Sequence, residues 1–322
     1  MELMVKGLSF AVVALCAVTM GFAIQRGATC TVAAVEEVVA RRGAGRLIAL
    51  VEASAWVAGG LLIAHSLQWL AQVPTGYAVT GWTFTGAVLL GLGAFVTRAC
   101  VFGAIARLGS GDWAYAATPL GFYLGCLSMA ALFAPAAPQG LGASPVFLAA
   151  PTATAWLIMG LFAWRIATPL LRHRGMLREL LGRHLWSPHA ATVVIGLAFL
   201  VMLILAGAWA YTDVLADLAH GMAHDVLART LLLVCLLAGA IGGGWSAGRL
   251  RFTRLRAASV ARCLIGGVLM GWGSLLIPGG NDGLILVGMP LLWPYAWVAF
   301  ATMCLTIGSA QWLQLRLAKR TG

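Results

Sequence analysis

Apolar runs of about twenty residues, with nearly all the cationic side chains gathered in the short connections between them, constrain this chain more than any motif does. A helix needs roughly 20 residues to cross a hydrocarbon layer of about 30 Å, and within that layer every backbone polar group has to be paired inside the protein. Runs of this kind lie at about 7–25, 47–67, 80–97, 114–134, 148–168, 190–211, 229–248, 263–277 and 293–313. They predict nine membrane helices, the eighth unusually short. With 61% hydrophobic and only 10% charged residues, no sizeable soluble domain fits between them. The predicted fold is therefore an all-α integral membrane protein. The first run lacks a convincing small-residue cleavage site, so it reads as a retained helix rather than a signal peptide.

Charge orients the bundle. Of the 21 Lys and Arg residues, only Lys6 and Arg229 fall opposite the connections that hold the rest. By the positive-inside rule the crowded face is cytoplasmic, which puts the N-terminus in the periplasm and the C-terminus inside. The net charge of +11 is thus an orientation signal and no footprint of nucleic acid. Seven cysteines lie mostly within or beside apolar segments and form no CxxC pair, which argues against iron–sulfur clusters, thiolate zinc sites and disulfide scaffolds. His220 and His224, spaced i,i+4 near Asp213, Asp217 and Asp225, lack a further ligand, so residues 211–228 read as a solvated outer loop or interfacial helix and no metal is expected. There is no Walker A motif and no cofactor is implied.

Two passages interrupt the apolar pattern in related ways. A shift of 180 residues lays Gly91, Gly93 and Gly103 of "GLGAFVTRACVFG" on Gly271, Gly273 and Gly283 of "GWGSLLIPGGNDG". The first passage falls on the inner face and the second on the outer. This predicts two inverted halves, 1–135 and 190–322, joined by a linking helix and a basic loop over 136–189, with a site near the membrane midplane. Non-helical chain can re-enter a membrane where protein or water pairs its backbone, and the N-terminus of a re-entrant half-helix favours an anion. The expected half-helices are 99–108 and 281–289, the latter bracketed by Pro278 and Pro290 and capped by Asn281 and Asp282.

Near the N-terminus, "GFAIQRGATCTVAAVEEV" repeats the theme of helix, break and short amphipathic run. Taken alone, Cys30 and Cys100 read as small buried hydrophobes; their position after Gly and Arg at helix breaks argues for a pathway role. Arg98 and Arg26 are candidates for attracting an anion, although membrane anchoring accounts for both. A carboxylate at Glu52 in the second span needs a partner, either an arginine from the break regions or a proton-linked role.

The stretches "QRGATC", "RACVFGAIARLGSGDWAYAATPLGFYLG" and "MGWGSLLIPGGNDGLILVGMP" resemble the YeeE/YedE family of sulfur-transport inner-membrane proteins, which includes a bacterial thiosulfate uptake protein. The resemblance implies an hourglass-like protein whose narrow middle passes a small sulfur oxyanion by hydrogen bonds from cysteine thiols. It assigns Cys30 and Cys100 to the first two thiols. Where the thiosulfate member has a third cysteine, this chain reads Gly279, Gly280 and Asn281. Asn281 then supplies an amide in its place, or the substrate differs from thiosulfate, with sulfite, sulfide and a persulfide form as alternatives. The implied partners are the sulfur species, membrane lipids and a cytoplasmic sulfur-handling protein. Two other readings stay open: a membrane sulfurtransferase working through a cysteine persulfide, and a non-transporting subunit of a sulfur-metabolising complex.

Overall fold

A computed structural model describes residues 2–70, 73–133, 137–142, 144–149, 154, 156–158, 160–161, 164, 185–221 and 226–321. Its helices are α1 (Glu2–Gly27), α2 (Thr31–Arg41), α3 (Gly45–Ser66), α4 (Gly81–Thr97), α5 (Val101–Gly109), α6 (Ala117–Leu132), α7 (Pro145–Ala149), α8 (Pro188–Ala206), α9 (Tyr211–Ala219), α10 (Val226–Ser246), α11 (Ala257–Leu276), α12 (Asn281–Gly283, continuing as a π turn over Leu284–Gly288) and α13 (Pro294–Thr321). A two-residue antiparallel ladder pairs β1 (Gly76–Tyr77) with β2 (Gly140–Leu141). Among the described residues, eight helices are long and apolar enough to cross a membrane. The predicted run at 148–168 lies largely outside the described residues, as do Arg172, Arg174, Arg178, Arg183 and His224.

One expectation is corrected. The eighth predicted span is not short: α11 has 20 residues and begins at Ala257, and Arg262, which broke the apolar run in the sequence, is carried within the helix. Of the two readings of residues 211–228, a helix holds over 211–219: α9 buries Tyr211, Thr212, Val214 and Leu215 against the bundle.

Four times a long helix stops, turns through positive φ (at one residue in three breaks, at Pro278 and Gly279 in the fourth) and restarts as a short helix. The turning residues are Ala28 (φ 46°) after α1, Arg98 (φ 59°) after α4, Gly207 (φ 82°) after α8 and Gly279 (φ 148°) after α11. Glycine serves without strain at the last two, while the first two hold side chains in a conformation that costs about 1 kcal/mol. The N-cap residues Cys30, Cys100, Ala210 and Gly280 that follow are all extended. A shift of 180 residues carries Thr31 to Tyr211, Gly45 to Asp225 beside the start of α10, and Val101 to Asn281.

The packing partners are exchanged in the same way. Helix α1 packs on α10 and α3 on α8; α6 packs on α11 and α4 on α13; α5 packs on α10 and the α12 turn on α3. Helices α4 and α11 also cross, through close backbone approach. A Cβ on Gly273 would come within 2.5 Å of the Gly86 carbonyl oxygen, and one on Gly86 within 2.7 Å of that of Gly273. Lipid tails are as apolar as leucine, so contact of this intimacy, rather than burial from water, holds membrane helices together. The outer surface is correspondingly apolar: Leu8 is 70% exposed, Leu15 65% and Leu305 73%, which suits lipid contact and would invite aggregation in water.

Candidate functional site

All four short helices start at one place, and their first residues are bonded to one another. Cys30 is the N-cap of α2 and Cys100 the N-cap of α5, yet neither thiol caps its own helix. The capping is crossed: the backbone N–H of Thr31 donates to Cys100 Sγ at 3.1 Å, and the N–H of Cys100 donates to Cys30 Sγ at 3.5 Å. Two N–H groups that a helix start leaves without intrahelical partners are thereby paired with sulfur from another element. The two sulfurs are also hydrogen-bonded to each other, so the pair forms one connected unit at the helix starts. Gly103, one turn into α5, makes room for the pair; a Cβ there would lie 2.5 Å from Cys30 Sγ.

From Thr31 the line continues into α12, where Asn281 Nδ2 donates to Thr31 Oγ1 at 3.3 Å. Thr31, Cys100 and Asn281 are all fully buried. Next to Asn281, the Asp282 carboxylate accepts from the Thr212 hydroxyl of α9 at 2.6 Å, and the Tyr211 hydroxyl donates to the Val101 carbonyl of α5 at 3.0 Å. Gly280 fits beside this contact because a Cβ would meet Thr212 Oγ1 at 2.5 Å. The capping position of α12 belongs to Gly280; Asn281 and Asp282 stand inside its first turn, so Asp282 ties α12 to α9 rather than serving as the N-cap.

Cys30 also reaches the surface of the arginine-rich face. It lies at the end of a recess of about 570 Å³ whose walls include Arg46, Arg98, Arg107, Arg249 and Arg251, with Glu36 and Asp112 as acidic members. Arg46 is offset by Glu37, 3.6 Å away. Tyr77 and Tyr295 meet edge to face at 5.4 Å, and Gly76 is pressed on Trp293 so closely that a Cβ would come within 2.0 Å of its ring.

The structure thus brings Cys30, Cys100 and Asn281 into one line, seats Gly279 and Gly280 in the turn behind it, and places Arg98 in the recess. Arg26 lies elsewhere: it is 2% exposed, donates to Ser246 Oγ at 2.9 Å and stacks over Phe22, tying α1 to α10. Glu52 bonds His189 Nδ1 at 2.5 Å, so α3 is fastened to the start of α8. Sequence reasoning missed Thr31, Tyr211 and Thr212. The only signal for them was the 180-residue shift, which maps the break at Cys30 onto Ala210.

The model of the sulphur-transport family matches residues 26–309, a span that takes in all four breaks. This chain belongs to the YeeE/YedE family of sulphur-transport proteins. Comparison with curated proteins gives no match. As a YeeE/YedE member it is a multi-pass helical membrane protein of the sulphur-transport type, consistent with placement in an inner membrane.

Proposed function

We propose that this protein passes a small sulfur-containing anion, thiosulfate or a related species, across the inner membrane through a constriction lined by Cys30 and Cys100. The crossed capping of the two cysteines is the observation that carries this reading. It sets the two cysteine sulfurs side by side at the meeting point of the short helices. Helix starts attract anions, and with its thiols protonated the pair offers a weak donor that holds an anion without binding it so tightly that it cannot leave. The shared 180-residue offset and the exchanged packing partners support two inverted halves meeting at the constriction.

With the arginine-rich face inside, the recess at Cys30 is the inner mouth. An inside-negative potential opposes entry of an anion by about 2.3 kcal/mol per charge per 100 mV. Uptake without an energy source in the chain therefore depends on removal of the anion inside, which assigns a role to a cytoplasmic sulfur-handling partner. The arginines raise the local anion concentration at that mouth. Arg98→Gln is expected to lower uptake several-fold at low ionic strength and much less at about 0.5 M salt, where charges beyond a few Å are screened. Initial rates at the two salt concentrations check this, and equal losses at both would remove the electrostatic role.

The test of the function is uptake of ³⁵S-labelled thiosulfate and sulfite by proteoliposomes under an inward gradient. Cys100→Ala removes one donor to a charged ligand, a loss of about 1.5 kcal/mol or more, and is expected to cut uptake of the accepted anion about tenfold or further. Cys100→Ser, which keeps a donor, should retain a larger share. Unchanged uptake in Cys100→Ala refutes passage past the thiols.

A further inference from the structure

Resting on the transport reading above, we propose that Thr31 and Asn281 form an oxygen-selective station beside the two thiols, and that this chain prefers an anion whose terminal atoms are all oxygen, sulfite, to one with a terminal sulfur, thiosulfate. The observation behind it is an uneven hydrogen-bond inventory. Asn281 is fully buried, its Nδ2 is spent on Thr31, and its Oδ1 is enclosed with no hydrogen-bond partner among the described residues. A buried amide oxygen left in that state costs on the order of 1–3 kcal/mol, so its retention points to a ligand that completes it.

Thr31 is equally buried, and its oxygen already accepts from Asn281, so its hydroxyl hydrogen is the part left to donate. The neighbour within that hydrogen's reach is Cys100 sulfur, a weak acceptor that an anionic oxygen readily replaces. Rotating the Asn281 amide by half a turn exchanges its two ends without breaking the pair: Thr31 then donates to Oδ1, and the NH₂ group becomes free. In either arrangement the pair offers a strong, hard donor to the ligand. In the first it also offers an acceptor, which a protonated anion such as hydrogen sulfite fills.

The consequence is discrimination. A thiol is a weak, polarizable donor that tolerates either oxygen or sulfur at 3.5 Å or more, whereas O–H and N–H donors want an oxygen at about 2.8–3.0 Å. Sulfite places oxygen against the thiols and against the Thr31–Asn281 pair together. Thiosulfate has three oxygens and one bulky sulfur terminus that suits the thiols alone, and in every orientation that turns this terminus to the hydroxyl–amide pair buried polar groups are left incompletely bonded, so fewer of its orientations pass. Sites built to hydrogen-bond a particular group reject the analogue lacking it far more strongly than apolar sites do.

The measurement is initial uptake of ³⁵S-sulfite and ³⁵S-thiosulfate, each alone and in competition, by anaerobic proteoliposomes containing the full chain. The wild type is expected to favour sulfite by about tenfold, the worth of one good hydrogen bond. Thr31→Val, nearly isosteric, and Asn281→Ala should each lose most of the sulfite rate while thiosulfate changes less, bringing the ratio towards one. Asn281→Cys should move it in favour of thiosulfate, and Thr31→Ser should leave it near the wild-type value. Monodisperse elution and an unchanged unfolding midpoint establish folding; if Thr31→Val fails that check, the Asn281→Cys ratio decides. A wild type that prefers thiosulfate, or a ratio unmoved in Asn281→Cys and in the folded Val and Ala variants, overturns the station while transport stands. A wild type that moves neither anion overturns transport, and this inference with it.

Discussion

A leucine at position 103 is expected to silence uptake while all seven cysteines stay in place. Gly103 lies where α5 passes closest to the start of α2. A Cβ there would sit 2.5 Å from Cys30 Sγ and 3.1 Å from both Cys30 Cβ and Ala99 Cβ. The atoms it would meet are side-chain atoms, the thiol foremost, so the added side chain is accommodated at the expense of the Cys30 to Cys100 contact. Overpacking of this kind costs about 1–3 kcal/mol, which a protein of this size survives with a lower unfolding midpoint. Displacing a positioned group by about 1 Å costs a functional site on the order of a hundredfold. Transport should therefore fall far more than stability does, with Gly103→Ala intermediate in both. Uptake rates set beside thermal unfolding of the same preparations make the comparison. Full uptake through Gly103→Leu would mean that the spacing of the two sulfurs is irrelevant to passage.

Much of the architecture could be read from the chain because membrane helices announce themselves by apolar length and stop at glycine, proline and charge. The predicted run at 80–97 became α4 (Gly81–Thr97), and the half-helix expected at 281–289 became α12 with its π turn. What the chain hid was wherever packing overruled local composition. Asp213, Asp217 and His220 made 211–228 look solvated, yet Tyr211, Thr212, Val214 and Leu215 recur on one face of a helix and bury it. Arg262 looked like the end of a connection, but a long side chain can lie along a helix with its head directed to a polar boundary, and α11 runs straight through it. At the site, the cysteines stood out as reactive residues at breaks, whereas the threonine that joins them to Asn281 carries no motif. Thr31 became visible only when 69 residues of separation to Cys100 and 250 to Asn281 were closed in space. The same holds for Glu52 and His189, 137 residues apart. Pairings at such distances follow from which helices cross, and that depends on where small residues let backbones touch.

The crossing of α1 and α10 makes that dependence measurable. A Cβ on Gly21 would fall 1.9 Å from the Leu236 carbonyl oxygen, and one on Gly239 would fall 1.9 Å from that of Val18, so the two backbones touch reciprocally. The obstacle is main chain on both sides, and no rotamer change relieves it. Nor does lipid reward the added leucine, since its side chain is no better buried between helices than among acyl chains. The damage travels: one turn further along, Gly109 at the end of α5 and Gly244 of α10 are in the same close contact, with a Cβ on Gly244 only 1.8 Å from the Gly109 oxygen. Wedging α10 away from α1 loosens the seat of α5 and hence the place of Cys100 at its start. Gly239→Leu is expected to cost about 3 kcal/mol or more, lowering the unfolding midpoint by roughly 10 °C and abolishing uptake. Gly242→Leu is the matched control: it lies three residues away on the same helix, and a Cβ there meets nothing within 4 Å. That variant gains the same helix propensity and should behave like the wild type. Equal destabilisation by both substitutions would show that α10 is sensitive to leucine as such, and the close crossing would lose its place as the element that positions the thiols.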